Sequence, residues 1–169
     1  MLDDRDQVAE LDATPYDEDN VVIFQDVYHV GSGPVQVFGS LANDTLAVTS
    51  VGSTLNVTKN GTVFKYPRAQ VSRVNIRGLS GNDIMSAINI DKNVALIGGL
   101  GNDVLTGGSS SDLLNGGGGD DIINGGAGND TLIGNAAANT LDGGLGTDTL
   151  DGKGDIDIGL NGEVLINFP

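Results

Sequence analysis

One aliphatic side chain recurs every nine residues through the second half of the chain. The in-phase positions are Leu105, Leu114, Ile123, Leu132, Leu141 and Leu150. Each follows a polar, glycine-rich stretch, and a period of nine does not match the 3.6-residue period of an amphipathic helix. The pattern therefore predicts that the chain turns, forms a short strand, and turns again.

Glycine and an acidic residue recur with the same period. Seven consecutive blocks from Gly98 to Leu160 read GGLGNDVLT, GGSSSDLLN, GGGGDDIIN, GGAGNDTLI, GNAAANTLD, GGLGTDTLD and GKGDIDIGL. Four of them fit G-G-x-G-x-D-x-U-x, where U is aliphatic, which is typical of a parallel β-helix. Glycine at the first, second and fourth positions permits the positive φ of a sharp turn. Two blocks close one flattened coil, and successive coils stack about 4.8 Å apart.

The sixth position of the repeat carries a carboxylate that stacks on its counterpart one coil away. Stacked carboxylates repel one another, so such an edge is stable when a cation lies between them. Carboxylate and backbone carbonyl oxygens suit Ca²⁺, whereas the chain has no cysteine and its single histidine, His29, lies far from the repeats. The predicted side-chain ligands are Asp83, Asp103, Asp112, Asp121, Asp130, Asp148 and Asn139. The predicted carbonyl ligands belong to Gly81, Gly99, Gly101, Gly108, Gly117, Gly119, Gly126, Gly128, Gly144 and Gly146.

We expect about four ordered calcium ions, each between two sixth-position aspartates. The expected pairs are Asp83 with Asp103, Asp103 with Asp121, Asp112 with Asp130, and Asp130 with Asp148.

The run from Gly98 to Asp151 closely resembles the haemolysin-type, or repeats-in-toxin (RTX), calcium-binding nonapeptide repeats of secreted bacterial proteins. The resemblance implies a right-handed parallel β-roll that binds calcium between successive turns on both edges and folds only with the ion. The fifth block departs from the pattern, since Asn139 replaces the carboxylate and Asn135 and Ala137 replace glycines. Sites beside Asn139 should therefore be weaker or empty. Without calcium, a disordered Gly/Asp-rich linker is the competing interpretation.

The repeat continues upstream in a weaker form. Gly78–Ser86 begins slightly more than one coil before Gly98, so Asp83 should stack against Asp103. The next segment, Ala87–Ile97, alternates aliphatic and polar residues and predicts two strands joined by a metal-free turn at residues 91–93. A fainter echo at residues 39–48 makes Asp44 a candidate ligand.

We divide the chain into four segments. Residues 1–20 form an acidic arm, residues 21–77 a β-rich portion, residues 78–160 the calcium-binding repeats, and residues 161–169 a closing strand. The β-rich portion contains strand signals at Val21–Tyr28, Val35–Phe38 and Val71–Ile76, and a hairpin signal at Asn60-Gly61. It either continues the solenoid as irregular coils or caps it.

Charge and composition reduce the number of functions that we expect for this chain. The net charge is −15, and residues 78–160 hold 12 acidic residues against two lysines, so we expect no nucleic-acid partner. No apolar run is long enough to span a membrane. The lack of cysteine and the calcium sites favour the extracellular space, and the resemblance implies bacterial secretion. No catalytic motif is present, so we do not expect an enzyme.

These observations leave three functions open. The first is a calcium-dependent structural or secretion-linked module. The second is a solenoid face that binds polysaccharide or ice, although Val104 and Ile122 interrupt the threonine rows that ice binding favours. The third is the non-catalytic part of a secreted hydrolase, which would make a larger parent protein the partner of this chain.

Overall fold

A computed structural model describes residues 27–29, 31–154, 157–161 and 164–166. These residues form an all-β fold with one short 3-10 helix, Arg68–Gln70, and within them no helix is long and apolar enough to cross a membrane. The strands are β1 (Val27–His29), β2 (Val35–Phe38), β3 (Thr45–Val51), β4 (Thr54–Lys59), β5 (Thr62–Pro67), β6 (Val74–Ser80), β7 (Ile84–Ser86), β8 (Val94–Leu100), β9 (Val104–Thr106), β10 (Leu113–Gly118), β11 (Ile122–Asn124), β12 (Thr131–Ala136), β13 (Thr140–Asp142), β14 (Thr149–Asp151), β15 (Ile158–Leu160) and β16 (Val164–Ile166).

The strands build two facing sheets that are wound as a β-solenoid of about five coils. The first sheet has the order β1-β2-β6-β8-β10-β12-β14-β16, and the second has the order β15-β13-β11-β9-β7-β3-β4-β5. From β6 onward the chain alternates between the sheets and all neighbours are parallel. The predicted all-β parallel solenoid is confirmed.

The strand register follows from the spacing of the repeat. Leu114 pairs with Leu132, two blocks further along the chain, as the nine-residue period predicts. Between β6 and β8 the register is longer by the upstream insertion, so that Val74 pairs with Val94. Strand β3 joins the same sheet as β7 across a still longer connection, with Leu46 opposite Met85. The upstream echoes therefore stack in the columns in which the sequence placed them.

The core is a column of aliphatic side chains between the two sheets. The eighth-position residues from Leu105 to Leu150 are all at most 1% exposed. Each coil contributes one such residue from each sheet, and full burial of one contributes roughly 1.5–3 kcal/mol. The aliphatic period thus marks the interior of the solenoid.

The N-terminal portion both continues the solenoid and closes it. Strands β2 and β3 pair in parallel with β6 and β7, as further coils would. Strands β4 and β5 then fold back antiparallel on β3, around a turn in which Asn60 and Gly61 have φ of 49° and 84°. The hairpin prediction is confirmed. The acidic arm and most of the Val21–Tyr28 signal lie outside the described residues.

Two strand predictions need correction. Ala87–Ile97 contains part of one strand, β8, instead of two strands, because pairing of β7 ends with the bond from Ala87 N to Thr106 O and Asn89 then turns the chain at φ 60°. Ile88 is consequently 49% exposed. The Val71–Ile76 signal becomes a strand only at Val74, although Val71 is buried.

Candidate metal centres

Sixth-position side chains line both edges of the solenoid, where the chain passes between the sheets. The first edge consists of Asp44, Asp83, Asp103, Asp121, Asn139 and Asp157, and the second edge consists of Asp112, Asp130 and Asp148. All nine are at most 9% exposed. The structure therefore brings the predicted side-chain ligands together in two columns.

A ladder of hydrogen bonds holds each column. The backbone N–H of Asp103 donates to Oδ1 of Asp121 over 2.8 Å, and that of Asp130 donates to Oδ1 of Asp148 over 2.9 Å. The same bond joins Asp83 N to Asp103 Oδ1 across the longer upstream coil. Oδ1 of each of these aspartates thus accepts a hydrogen bond from the preceding coil, which leaves Oδ2 for another partner.

In six of these residues Oδ2 is buried and has no hydrogen-bond partner. They are Asp83, Asp103, Asp121, Asp130, Asp148 and Asp157. Buried polar atoms without a partner are rare, and an unpaired buried carboxylate is costly. A hard cation would supply the missing interaction, and the donor chemistry of both edges fits Ca²⁺.

The carboxylates alone do not complete a metal site. Among the residues that the structure describes, no group of three or more Asp, Glu, His or Cys side chains is close enough to hold an ion. Calcium takes 6–8 oxygen ligands. A calcium ion bound at these edges would therefore need backbone carbonyls of the turns for most of its coordination.

The turn glycines leave those carbonyls uncovered. The predicted glycines other than Gly108 have φ between 90° and 135°, which side chains rarely adopt. They also lie against the preceding coil: a Cβ on Gly126 would be 2.5 Å from Gly108 O, and one on Gly101 would clash with Gly81 O. Substitution at these positions is opposed both by the backbone conformation and by the neighbouring carbonyl.

Glycine at the first position serves a different purpose from the one predicted. None of Gly98, Gly107, Gly116 or Gly125 has a positive φ. A Cβ on Gly125 would instead lie 2.5 Å from Oδ2 of Asp130 in its own turn and 2.6 Å from Gly143 O. The first glycine therefore makes room for the carboxylate.

The turn that ends at Asp112 differs from the others. Gly108, at its second position, does not have a positive φ, and its N–H donates to Oδ2 of Asp112 over 2.6 Å. Oδ1 of Asp112 accepts a bond of 2.8 Å from Val94 N. Both carboxylate oxygens thus have protein partners.

The turn that ends at Asn139 keeps its shape without the consensus residues. Asn135 and Ala137 take φ of 73° and 74°, where the pattern places glycine. Oδ1 of Asn139 accepts a bond from Asp121 N over 2.9 Å, as an aspartate would. Its Nδ2 donates to Ala137 O over 3.0 Å, so the amide bonds its own turn where the carboxylates have no partner.

The structure adds one sixth-position residue that sequence analysis missed. Asp157 is 9% exposed, accepts a bond from Asn139 N over 2.8 Å, and has an unpartnered Oδ2. Its spacing, one block after Asp148, was the available signal. The eighth position of that block is Gly159 instead of an aliphatic residue, which obscured it.

Fifth-position side chains form a second ladder, which the repeat pattern did not reveal. Asn102 N donates to Oδ1 of Asn82 over 2.9 Å, and Thr147 N donates to Oδ1 of Asn129 over 3.1 Å. This ladder runs opposite to the sixth-position ladder, since here the later coil is the donor. The fifth position therefore contributes to stacking.

Asp44 stacks with the first edge but is fully hydrogen-bonded. Its Oδ2 accepts bonds from Ser40 N and Oγ over 2.5 and 2.9 Å. Its Oδ1 accepts a bond from Asn60 Nδ2 over 2.5 Å. Both carboxylate oxygens of Asp44 therefore have protein partners.

Burial makes ionisation unfavourable for five of the aspartates in the columns. Burial raises the pKa of Asp83, Asp121 and Asp130 to about 6. The backbone N–H that donates to each carboxylate lowers its pKa, but by less than burial raises it. Burial also raises the pKa of Asp103 and Asp112. The carboxylates are therefore groups that gain from a positive partner at neutral pH.

Two sheets of mainly parallel strands, joined by glycine–aspartate turns, define a β-solenoid with a buried carboxylate column along each edge. Residues 97–132 and 125–158 match the family model of the RTX calcium-binding nonapeptide repeat (4 copies). No curated protein and no solved structure matches the chain. The match covers over a third of the chain and confirms the resemblance: residues 97–158 carry RTX calcium-binding nonapeptide repeats.

Proposed function

We propose that the chain is a calcium-binding β-roll that folds on meeting extracellular Ca²⁺. Its role is structural or linked to secretion, within a secreted bacterial protein. The observation that carries the proposal is the set of six buried Oδ2 atoms without a hydrogen-bond partner. Carbonyls of the glycine turns, such as Gly81 O and Gly108 O, face the next coil, and together with the carboxylates they are the kind of oxygen donors that calcium prefers.

The fold gives a reason for calcium-dependent folding. From Asp103 to Leu150, each coil buries sixth-position side chains on its edges but only one aliphatic residue per sheet in its core. Ionised carboxylates at this depth oppose the aliphatic burial until a cation offsets their charge. Binding free energy then appears as folding free energy.

The ions should lie between the stacked turns. The sites that the structure supports use Asp83 with Asp103, Asp103 with Asp121, and Asp130 with Asp148, whereas both oxygens of Asp112, expected from the sequence to share a site with Asp130, already accept protein hydrogen bonds. Carbonyls of the second- and fourth-position glycines complete the coordination. Asp157 joins this ligand set on the strength of its unpartnered Oδ2.

The extracellular location is supported by the same chemistry. Turns built from one carboxylate and several carbonyls suit the millimolar calcium outside cells better than the low calcium of the cytosol. An RTX β-roll is a non-catalytic module, so any catalytic activity would reside outside residues 97–158.

A calcium titration followed by far-UV circular dichroism tests the proposal. With a chelator the chain should be largely disordered, and millimolar Ca²⁺ should produce a β signal. Mg²⁺ is the control and should not substitute, because it demands tight octahedral geometry and retains its waters. A repeat region that is fully folded in excess chelator would contradict the proposal.

A further inference from the structure

Three turns differ from the rest in how their sixth-position side chains are bonded, namely those that end at Asp44, Asp112 and Asn139. We infer that the turns ending at Asp112 and Asn139 are closed by their own hydrogen bonds and take up no calcium through these side chains, although Asp112 carries the consensus carboxylate. The inference rests on the proposed function and states which turns of the β-roll respond to the ion.

Asp112 is bonded on both oxygens. Gly108 N donates to its Oδ2, and Val94 N donates to its Oδ1. In Asp130, one coil further along the same edge, Oδ1 has the equivalent bond from Asp112 N, but Oδ2 has no hydrogen-bond partner. The two residues share a position and an edge, and they differ in one hydrogen bond.

The rest of the Asp112 turn is also tied to its neighbour by hydrogen bonds. Ser109 Oγ donates to Ile90 O over 2.8 Å, and Asn93 Nδ2 donates to Ser111 O over 2.6 Å. These bonds join the turn to residues 87–93, which form the turn of the preceding coil on the same edge. That turn has no sixth-position carboxylate, because Val94 occupies the equivalent position. A cation is therefore not required to hold these two turns together.

The side chain of Asn139 is also fully hydrogen-bonded, but here an amide replaces the carboxylate. Its Nδ2 occupies the place of Oδ2 beside the first-position glycine, 2.8 Å from a Cβ built on Gly134. It donates to Ala137 O, so a donor replaces the charge that would need an ion. Because Asn135 and Ala137 still hold positive φ, the turn retains the conformation that calcium-binding turns have.

The test counts the ions that each turn takes up on folding. Near saturation, the slope of the unfolding free energy against ln[Ca²⁺] equals RT for each bound ion. Asp130→Asn should lower this slope by at least one ion. Asp112→Asn, the matched variant, should lower stability by opposing Gly108 N–H with an amide donor, but it should leave the slope unchanged.

Variants at residue 139 give a readout in the opposite direction. Asn139→Asp creates an unpartnered carboxylate oxygen in an otherwise suitable turn and should raise the slope by one ion. Asn139→Ala removes the amide without adding charge, and it should reduce stability at an unchanged slope. These variants keep the inference testable if Asp112→Asn does not fold.

The outcomes distinguish failure of the proposed function from failure of the inference about these two turns. A slope of zero in the unmodified chain would overturn the proposed function and the inference with it. A normal slope in that chain, with Asp112→Asn and Asp130→Asn losing equal numbers of ions, would overturn the inference alone. An unchanged slope in Asn139→Asp would overturn it for the Asn139 turn.

Discussion

At the scale of single residues, the repeat assigns one task to each position. The eighth position fills the core, the sixth joins two coils, and the second and fourth glycines bend the chain. The first glycine has a separate task, since it leaves space for the carboxylate of its own turn. A glycine can therefore be essential at an ordinary φ.

This role of the first glycine gives a sharp comparison between two alanine variants. Gly125→Ala places a Cβ 2.5 Å from Asp130 Oδ2, whereas Gly118→Ala meets nothing closer than 3.4 Å. Neither glycine has a positive φ. In saturating calcium we expect the first to cost about 1–3 kcal/mol or more by overpacking and the second to stay within about 0.5 kcal/mol.

Urea unfolding measures both variants. An equal loss in the two would show that flexibility of the glycine backbone, rather than space for the carboxylate, determines the first position.

At the scale of elements, the sequence predicts what shares the nine-residue period. Strands, core residues and carboxylate columns were all predictable because glycine, aspartate and an aliphatic residue recur together. The stacking of Asp83 on Asp103 was predictable for the same reason, despite the insertion between them. Ile88 was misplaced because alternation alone does not show where pairing of β7 ends.

Other features depend on contacts that no local pattern contains. The bond from Gly108 N to Asp112 distinguishes that turn from its neighbours, yet the block GGSSSDLLN differs from the consensus only at Ser110. The role of Asn60 likewise depends on where the hairpin meets the first coil. Sequence analysis assigned it only to a turn.

Asn60 supplies to Asp44, the first residue of the first edge, the hydrogen bond that a preceding coil supplies to the other aspartates. Its Nδ2 donates to Asp44 Oδ1, and its Oδ1 accepts a bond from Thr45 N over 2.7 Å. Asn60→Gly preserves the φ of 49° but leaves the Asp44 Oδ1 of a buried side chain without this donor. The expected cost is about 1–3 kcal/mol.

Asn60→Asp should be more harmful than Asn60→Gly, because it sets a second carboxylate against Asp44. Hydrogen exchange across β4 and β5, together with chemical unfolding, would measure both changes. A smaller loss for Asn60→Asp than for Asn60→Gly would contradict the capping role.

At the scale of the whole molecule, the fold concentrates negative charge in two lines. The chain carries a net charge of −15, and eight of its 23 acidic residues lie in the buried columns. Protons and calcium ions are therefore alternative partners for the same oxygens. Acid should therefore change stability in opposite directions in the absence and in the presence of calcium.

Without calcium, acid should stabilise the fold. Burial raises the pKa of Asp83, Asp121 and Asp130 from 3.8 to about 6, so the folded chain holds these protons more tightly than the unfolded chain does. The resulting stabilisation is fully present below the unfolded pKa and is lost as pH rises through about 6. Hydrogen exchange in calcium-free buffer at about pH 5 and about pH 7.5 should show greater protection at the lower pH.

With calcium present the order should reverse, because protons displace the ion from the carboxylates and the calcium midpoint should rise as pH falls. Replacing Asp83, Asp121 and Asp130 with asparagine is the control and should weaken both trends. Equal protection at the two pH values without calcium would contradict this account.

The sixth-position ladder gives the stack a direction. Each coil obtains a hydrogen-bond acceptor from the coil that follows it, as Asp103 N does from Asp121 and Asp112 N does from Asp130. Truncation from the C-terminal side leaves a buried backbone N–H unpaired, whereas truncation from the N-terminal side releases a buried carboxylate oxygen, which a cation can also satisfy. The fifth-position ladder runs in the opposite direction, but its bonds are exposed to water. Two fragments of equal length cut from opposite ends of the repeats would therefore not be energetically equivalent.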